Sequence, residues 1–278
     1  MNTPLISAAN LRATTPAPLL LDCSFDLAGP SLGEQAYAAG HLPGALYVHL
    51  DRDLSGPKTG LNGRHPLRTR EAYAGWMASI GITPDRDVVV YDRQAGMFAV
   101  RAWWVLRWLG HPRVALLDGG LDAWVRSGGE LSTQVPVPSP VAASPAPAPA
   151  MPTIDATTLL GRLPGVRVLD ARAPERYRGD VEPLDRVAGH IPGARNRFFK
   201  DNLQADGTFK PAAMLRAEYE ALTAGATDVV LQCGSGVTAC HDLIAMEVAG
   251  LGIATLYPGS WSEWSADPAR PVERGTAV

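Results

Sequence analysis

The chain of 278 residues has no apolar run that approaches membrane-spanning length. Its opening stretch, MNTPLISAANLRATTPAPLLLDC, lacks a basic start leading into an apolar segment with a small-residue cleavage site, and a cytoplasmic protein is expected. Long runs of like charge are missing too. With 25 basic and 28 acidic residues and a formal net charge of -3, neither a nucleic-acid surface nor an anionic-membrane surface is expected, which leaves a small molecule or another protein as partner. Cysteine is scarce: Cys23, Cys233 and Cys240 make an odd number, which suits reduced thiols better than a disulfide framework. There is no CxxC pair, no HExxH helix and no phosphate-binding glycine loop, so no metal and no organic cofactor is expected. What is present, 46% hydrophobic and 19% charged residues over this length, is the composition of a globular protein of two ordinary domains.

The chain is written twice. LLLDCS, with Asp22, recurs as VRVLDAR, with Asp170; GHLPGA at 40–45 recurs as GHIPGA at 189–194. VVVYD, ending at Asp92, is matched by VVLQC, ending at Cys233, and LLDGGLDAW by LYPGSWSEW. The landmarks keep their order, as in a duplicated domain. Between the copies, 134–152 reads QVPVPSPVAASPAPAPAMP, an alternation of proline with small residues that favours an extended spacer without a core of its own. The expected division is a domain at 1–133, a Pro/Ala-rich linker at 134–152 and a second domain at 153–278. In each copy short Val, Leu and Ile runs alternate with helical patterns such as REAYAGWMASIG and FAVRAWWVLRWLG, the latter closing on Gly110. The expected fold class is α/β, two tandem domains that each have a mostly parallel sheet flanked by helices.

VVLQCGSGVTACHDLIAMEVAG carries the chemistry. A buried-strand pattern runs into Cys233 and a helical pattern resumes within a few residues. A thiol there faces loop amides and the positive end of a helix, which stabilise an anion. Gly234 and Gly236 allow backbone angles that other residues resist and leave the sulfur uncovered, and with Val237 and Thr238 they form a loop suited to cradle one negative sulfur. Phosphatases of similar architecture place an arginine six residues after the cysteine; here that residue is Ala239, which argues against a phosphatase or arsenate reductase.

CGSGVTAC resembles the active-site loop of the 3-mercaptopyruvate sulfurtransferases, within the wider rhodanese family, and the doubled domain, DAR, GHIPG and YPGSWSEW extend the resemblance over nearly the whole chain. It implies two rhodanese-like domains, the first inactive with Asp92 in place of the cysteine and the second catalytic. It also implies sulfane-sulfur transfer from a small donor through a Cys233 persulfide to a thiol or cyanide acceptor, a thioredoxin-like protein being one candidate. DARAPERYRG carries the family's donor-binding arginine onto Arg176, whose planar fork suits a carboxylate or sulfonate-like group. A further arginine expected in an EPR sequence is missing, since the match reads EPL with Leu184, and Arg186 two residues on is the candidate substitute. The resemblance also carries a proton-moving set onto Ser235, His65 of NGRHPLR and Asp51 of VHLDRD, which would assist release of pyruvate enolate. These features favour 3-mercaptopyruvate as donor with thiosulfate as a second. The alternatives are a thiosulfate:cyanide sulfurtransferase and a non-enzymatic persulfide relay. Because Cys233 and Arg176 come from one half and His65 from the other, the site is expected in a cleft between the halves. His41 and His190 occur in both GH(L/I)PG turns and are expected to hold them. Cys240, Cys23 and the tryptophans of RAWWVLRWLG are expected to pack.

Overall fold

A computed structural model describes residues 3–145 and 148–276 of the chain. Two compact units divide it. The first comprises Met1–Gly56, Arg68–Ala150 and Gln204–Phe209; the second comprises Pro57–Leu67, Met151–Leu203 and Lys210–Val278.

The first unit has strands β1 (Leu5–Ile6), β2 (Leu19–Asp22), β3 (Leu46–Tyr47), β4 (Val88–Tyr91) and β5 (Val114–Leu117), in the spatial order β1-β5-β4-β2-β3, with every pairing parallel. The second has β6 (Arg167–Asp170), β7 (Arg195–Asn196), β8 (Val229–Gln232) and β9 (Thr255–Leu256), in the order β7-β6-β8-β9, again all parallel. A bridge from Thr153 to Leu256 lies where β1 pairs in the first unit. The central strands β4 and β8 are buried at every residue, as parallel strands covered on both faces must be. Each is followed by a helix, Ala99–Trp108 or Ala239–Val248. The first of these buries Trp103 and Trp104 completely, while Trp108 stacks on Trp104 at 5.5 Å.

The duplicated turns do the same work twice. His41 Nδ1 bonds to the Tyr37 carbonyl at 2.8 Å and its ring stacks on Tyr37; His190 Nδ1 bonds to the Tyr177 carbonyl at 2.8 Å and stacks on Tyr177. Both are structural. The Pro/Ala-rich segment has no regular element, but it is not a free spacer over its whole length. The Val141 N–H donates to the Ala78 carbonyl at 2.9 Å, and 134–150 belongs to the first unit. Residues 146–147 of that linker, like 1–2 and 277–278, lie outside the described residues. Among the described residues no helix is long and apolar enough to cross a membrane.

The helix after β8 rests on a buried polar cluster. Asn202 Nδ2 donates to Asp242 Oδ1 at 2.7 Å, while the Tyr219 hydroxyl and the Arg197 guanidinium donate to Asn202 Oδ1. Among the described residues Asp242 Oδ2 has no hydrogen-bond partner, and burial pushes the Asp242 carboxyl up from 3.8 to about 7 against the opposing pull of Asn202 and Arg197. Between about pH 4 and 7 the folded chain therefore keeps a proton that the unfolded chain has lost, so this contribution to stability is complete at low pH and falls as pH rises through that window. Asp242→Asn, which keeps the amide-facing acceptor, is expected to remove on the order of 4 kcal/mol of that pH dependence. Urea unfolding of both proteins from pH 4 to 8 checks it. Parallel stability profiles would contradict a carboxyl that is neutral when folded.

Candidate active site

Cys233 follows the last residue of β8 and is buried. Its N–H donates to Ser260 Oγ at 3.1 Å, and the Ser260 hydroxyl donates to the Tyr257 carbonyl at 2.9 Å. Its carbonyl accepts the Trp261 N–H at 3.0 Å. The loop that begins at Cys233 is thereby tied to the YPGSW turn. Ser260 is held at φ 54, where side chains are disfavoured; the matching residue of the first unit is a glycine, Gly120, at φ 59. The one sequence signal for Ser260 is that it is a serine where the first copy has a glycine.

The first unit shows what this turn is built to hold. The Asp92 carboxylate accepts four backbone bonds of 2.8 Å, from Gln94 and Gly96 on Oδ1 and from Phe98 and Ala99 on Oδ2. Burial pushes the Asp92 carboxyl up, and these four donors oppose it. In the second unit the corresponding residues are Ser235, Val237, Ala239 and Cys240. Among the described residues, none accepts a hydrogen bond from the N–H of Ser235, Val237 or Ala239; Cys240 N–H donates to the Val237 carbonyl at 3.0 Å. The second loop thus keeps amide donors that the first spends on its own carboxylate, a nest for one anion at the head of a helix.

Loop geometry demands its glycines. Gly236 has φ +75, and a Cβ there would lie 2.2 Å from the Pro258 carbonyl oxygen. Gly234 lies under two guanidiniums: a Cβ would be 2.7 Å from Arg64 Nη2 and 3.4 Å from Arg176 Nη1. Cys240 Sγ approaches the Gly236 carbonyl at 3.4 Å and is fully buried. Cys23, in the first unit, is also buried, and burial beside Asp22 and Asp92 holds its thiol well above the ordinary value, so it is an inert, protonated group.

Of the residues predicted from the sequence, Cys233, Gly234, Ser235, Gly236, Val237, Thr238, Arg176 and His65 all belong to the second unit. Ser235 Oγ and His65 Nδ1 share a hydrogen bond of 2.7 Å, and both side chains are buried. His65 comes from the first half of the sequence, as expected, but the segment 57–67 that carries it packs with the second unit. Gly63, at φ +82, passes 2.8 Å (to an added Cβ) from the Gly259 carbonyl oxygen, and the Arg64 N–H donates to Ser262 Oγ at 3.0 Å, so the segment folds with the second unit. Asp51 lies in the first unit, where its N–H donates to His49 Nδ1 at 3.1 Å. Arg186 is exposed and forms no hydrogen bond or ion pair among the described residues, and Leu184 is exposed. The second guanidinium beside the loop is Arg64, for which the sequence holds no signal, since nothing local links residue 64 to residue 234. A cavity of about 590 Å³ in the same unit is lined by Arg167 and Arg195, the first residues of β6 and β7, and so lies at the opposite end of the sheet from Cys233. Among the described residues no group of three or more His, Cys, Asp or Glu side chains is placed to hold a metal ion.

Two parallel-sheet α/β units, one carrying a cysteine at the head of an anion-binding turn and the other an aspartate, define a duplicated cysteine-loop protein. The Rhodanese-like domain model matches the chain twice, at residues 7–127 and 155–267. A Pseudomonas aeruginosa protein named "Probable 3-mercaptopyruvate sulfurtransferase" is 47% identical over 279 residues, covering 98% of both chains. The bovine (Bos taurus) "Thiosulfate sulfurtransferase" is 33% identical, covering 96% of this chain and 93% of its own. Among solved structures, "3-mercaptopyruvate sulfurtransferase from Leishmania major" superposes with a TM-score of 0.84 at 27% identity, covering 95% of this chain and 74% of that one. The chain belongs to the rhodanese family, with two copies of its domain.

Gly236→Ala and Gly193→Ala separate the two demands on a glycine. Gly193 has φ +72 but nothing within 4 Å of an added Cβ. Its substitution is expected to cost about 1 kcal/mol, the backbone part alone. Gly236→Ala should cost about 2 kcal/mol more, because a methyl meets a carbonyl oxygen. Chemical denaturation of both variants decides; equal costs would mean that the loop yields freely.

Proposed function

We propose that the protein is a sulfurtransferase that takes a sulfane sulfur from 3-mercaptopyruvate, and at a lower rate from thiosulfate, through a persulfide on Cys233. The observation that carries this reading is the Cys233 turn, whose unpartnered amides stand where those of the first unit hold the Asp92 carboxylate. A cysteine persulfide anion supplies there the negative charge that Asp92 supplies in the first unit. Names and full-length similarity of the relatives support sulfur transfer as the reaction.

In the first half-reaction the Cys233 thiolate attacks the sulfur of 3-mercaptopyruvate. A sulfur–sulfur bond forms, the carbon–sulfur bond breaks, and its electron pair leaves on pyruvate enolate. Ser235, hydrogen-bonded to His65, delivers the proton that converts the enolate to pyruvate, and the proton of the donor thiol is lost to solvent. Asp51 enters as the third member of this set through the family resemblance alone. Arg176 binds the donor's carboxylate. In the second half-reaction an acceptor thiolate, on a small thiol or a thioredoxin-like protein, or cyanide, attacks the outer sulfur and the Cys233 thiolate leaves. The three cysteines, all free, suit action in the cytoplasm.

A second reading, thiosulfate as main donor, is favoured by one observation: two guanidiniums, Arg64 and Arg176, stand beside Gly234 and suit a doubly charged anion. The measurement that separates the two is kcat/KM for each donor with a common thiol acceptor, in the unsubstituted protein and in Cys233→Ala, Ser235→Ala and His65→Asn. Cys233→Ala is expected to abolish turnover and sulfur loading, the latter read by mass spectrometry. Ser235→Ala should lower kcat with mercaptopyruvate about a hundredfold while changing thiosulfate turnover little, because thiosulfate's leaving sulfite needs no proton on carbon. Equal losses with both donors would remove Ser235 and His65 from the proton-transfer role, and full activity of Cys233→Ala would end the persulfide mechanism.

A further inference from the structure

Six ionised side chains of the second unit form one alternating row. Asp170 pairs with Arg172 at 2.7 Å, Arg172 with Glu182 at 3.3 Å, Glu182 with Arg176 at 2.7 Å, Arg176 with Asp185 at 3.4 Å, and Asp185 with Arg64. The arginines grow more exposed along the row, from 1% at Arg172 to 18% at Arg176 and 26% at Arg64, while the carboxylates between them stay buried, at 0% for Asp170, 3% for Glu182 and 7% for Asp185. The inner end is a structural clamp: the Arg172 guanidinium also donates to the Gly189 carbonyl and lies over the Trp261 ring at 4.7 Å. The outer end opens beside Gly234, where Arg64 and Arg176 each keep a buried Nε without a partner among the described residues.

Three cations and three anions cancel. A ligand anion reaching Gly234 therefore meets two guanidiniums whose charge is already matched, and gains little attraction until a carboxylate gives way. Glu182 is poorly placed to do so, since it also accepts the N–H groups of Leu184 and Asp185 and is held by the buried Arg172. Among the described residues, Asp185 has only the two outer arginines as side-chain partners.

We propose that Asp185 is an internal stand-in for the donor's anionic group, and that Arg64, with Arg176, is the cation pair it holds until a donor carboxylate replaces it. Arg64 thus supplies the second donor-binding guanidinium that the chain lacks at Leu184. Asp185 becomes a determinant of specificity: a donor with one carboxylate exchanges for it charge for charge, whereas a doubly charged donor is repelled by the Asp185 carboxylate for as long as it remains nearby. This rests on the sulfurtransferase reading for the identity of the donor, but not for the exchange itself.

The test measures KM for 3-mercaptopyruvate and thiosulfate, and the inhibition constant of unreactive sulfate, in the full chain and in Asp185→Asn, Arg64→Leu and Arg64→Lys, with the melting temperature of each. Asp185→Asn is expected to lower the thiosulfate KM and the sulfate inhibition constant about tenfold, and the mercaptopyruvate KM less. Arg64→Leu should raise all three about tenfold, with Arg64→Lys between it and the parent. If Asp185→Asn unfolds, the Arg64 pair alone decides through the same constants. Unchanged constants in folded variants would reduce the Asp185–Arg64 pair to a clamp on its loop and overturn the proposal. If the unsubstituted protein turned over neither donor, the sulfurtransferase reading would fall. Direct sulfate binding by calorimetry would then still test the exchange: affinity raised in Asp185→Asn supports it, and equal affinity refutes it.

Discussion

A row of backbone N–H groups that no protein oxygen accepts is costly unless something negative faces it. The turn that leads from a central parallel strand into the following helix creates such a row in both units. In the first, Asp92 answers it from within the chain, with four bonds of 2.8 Å. In the second, Cys233 stands at the same place and a thiol cannot satisfy the donors as a carboxylate does. That difference of one residue leaves a nest open in one unit and closed in the other. The backbone shape is common to both turns, with positive φ at Ala95 and Gly120 in the first and at Gly236 and Ser260 in the second; what the second adds is a glycine at 234 beneath two guanidiniums and a hydroxyl at 260 that takes the Cys233 N–H.

Charge around the nest is organised by the same economy. The alternating row from Asp170 to Arg64 leaves no uncompensated ion in the interior, as desolvation requires, and delivers two cations to the loop without the repulsion that adjacent guanidiniums would otherwise suffer. Its inner half is locked against Trp261 and the GHIPG turn, so the outer half is positioned by a rigid base. Holding the proposed donor-binding groups in mutual ion pairs makes an arriving anion compete for them.

A segment of eleven residues, 57–67, does much for the site although it lies far from Cys233 in sequence. It brings Arg64 over Gly234 and His65 to Ser235, and it is held by Gly63 against Gly259 and by the Arg64 N–H on Ser262. The glycine at 63 is needed for both reasons that a glycine is ever needed, positive φ and close backbone approach.

The sequence alone determined the duplication, the α/β class, the parallel strands and the place of Cys233 between strand and helix. These rest on recurring motifs, short continuous apolar runs, period-3.6 patterning and turn residues, signals that survive without tertiary context. The family resemblance, and not residue patterning, pointed to Arg176, Ser235 and His65, of which the last two are hydrogen-bonded in the fold. Tertiary structure alone decided that Arg64, and not the exposed Arg186, stands beside the loop, that His65 folds with the second unit, and that Ser260 carries the Cys233 N–H. The reason is physical. A side chain's partners across 170 or 27 residues of chain are set by how loops dock on a folded sheet, and a residue pattern encodes the docking only through the finished packing.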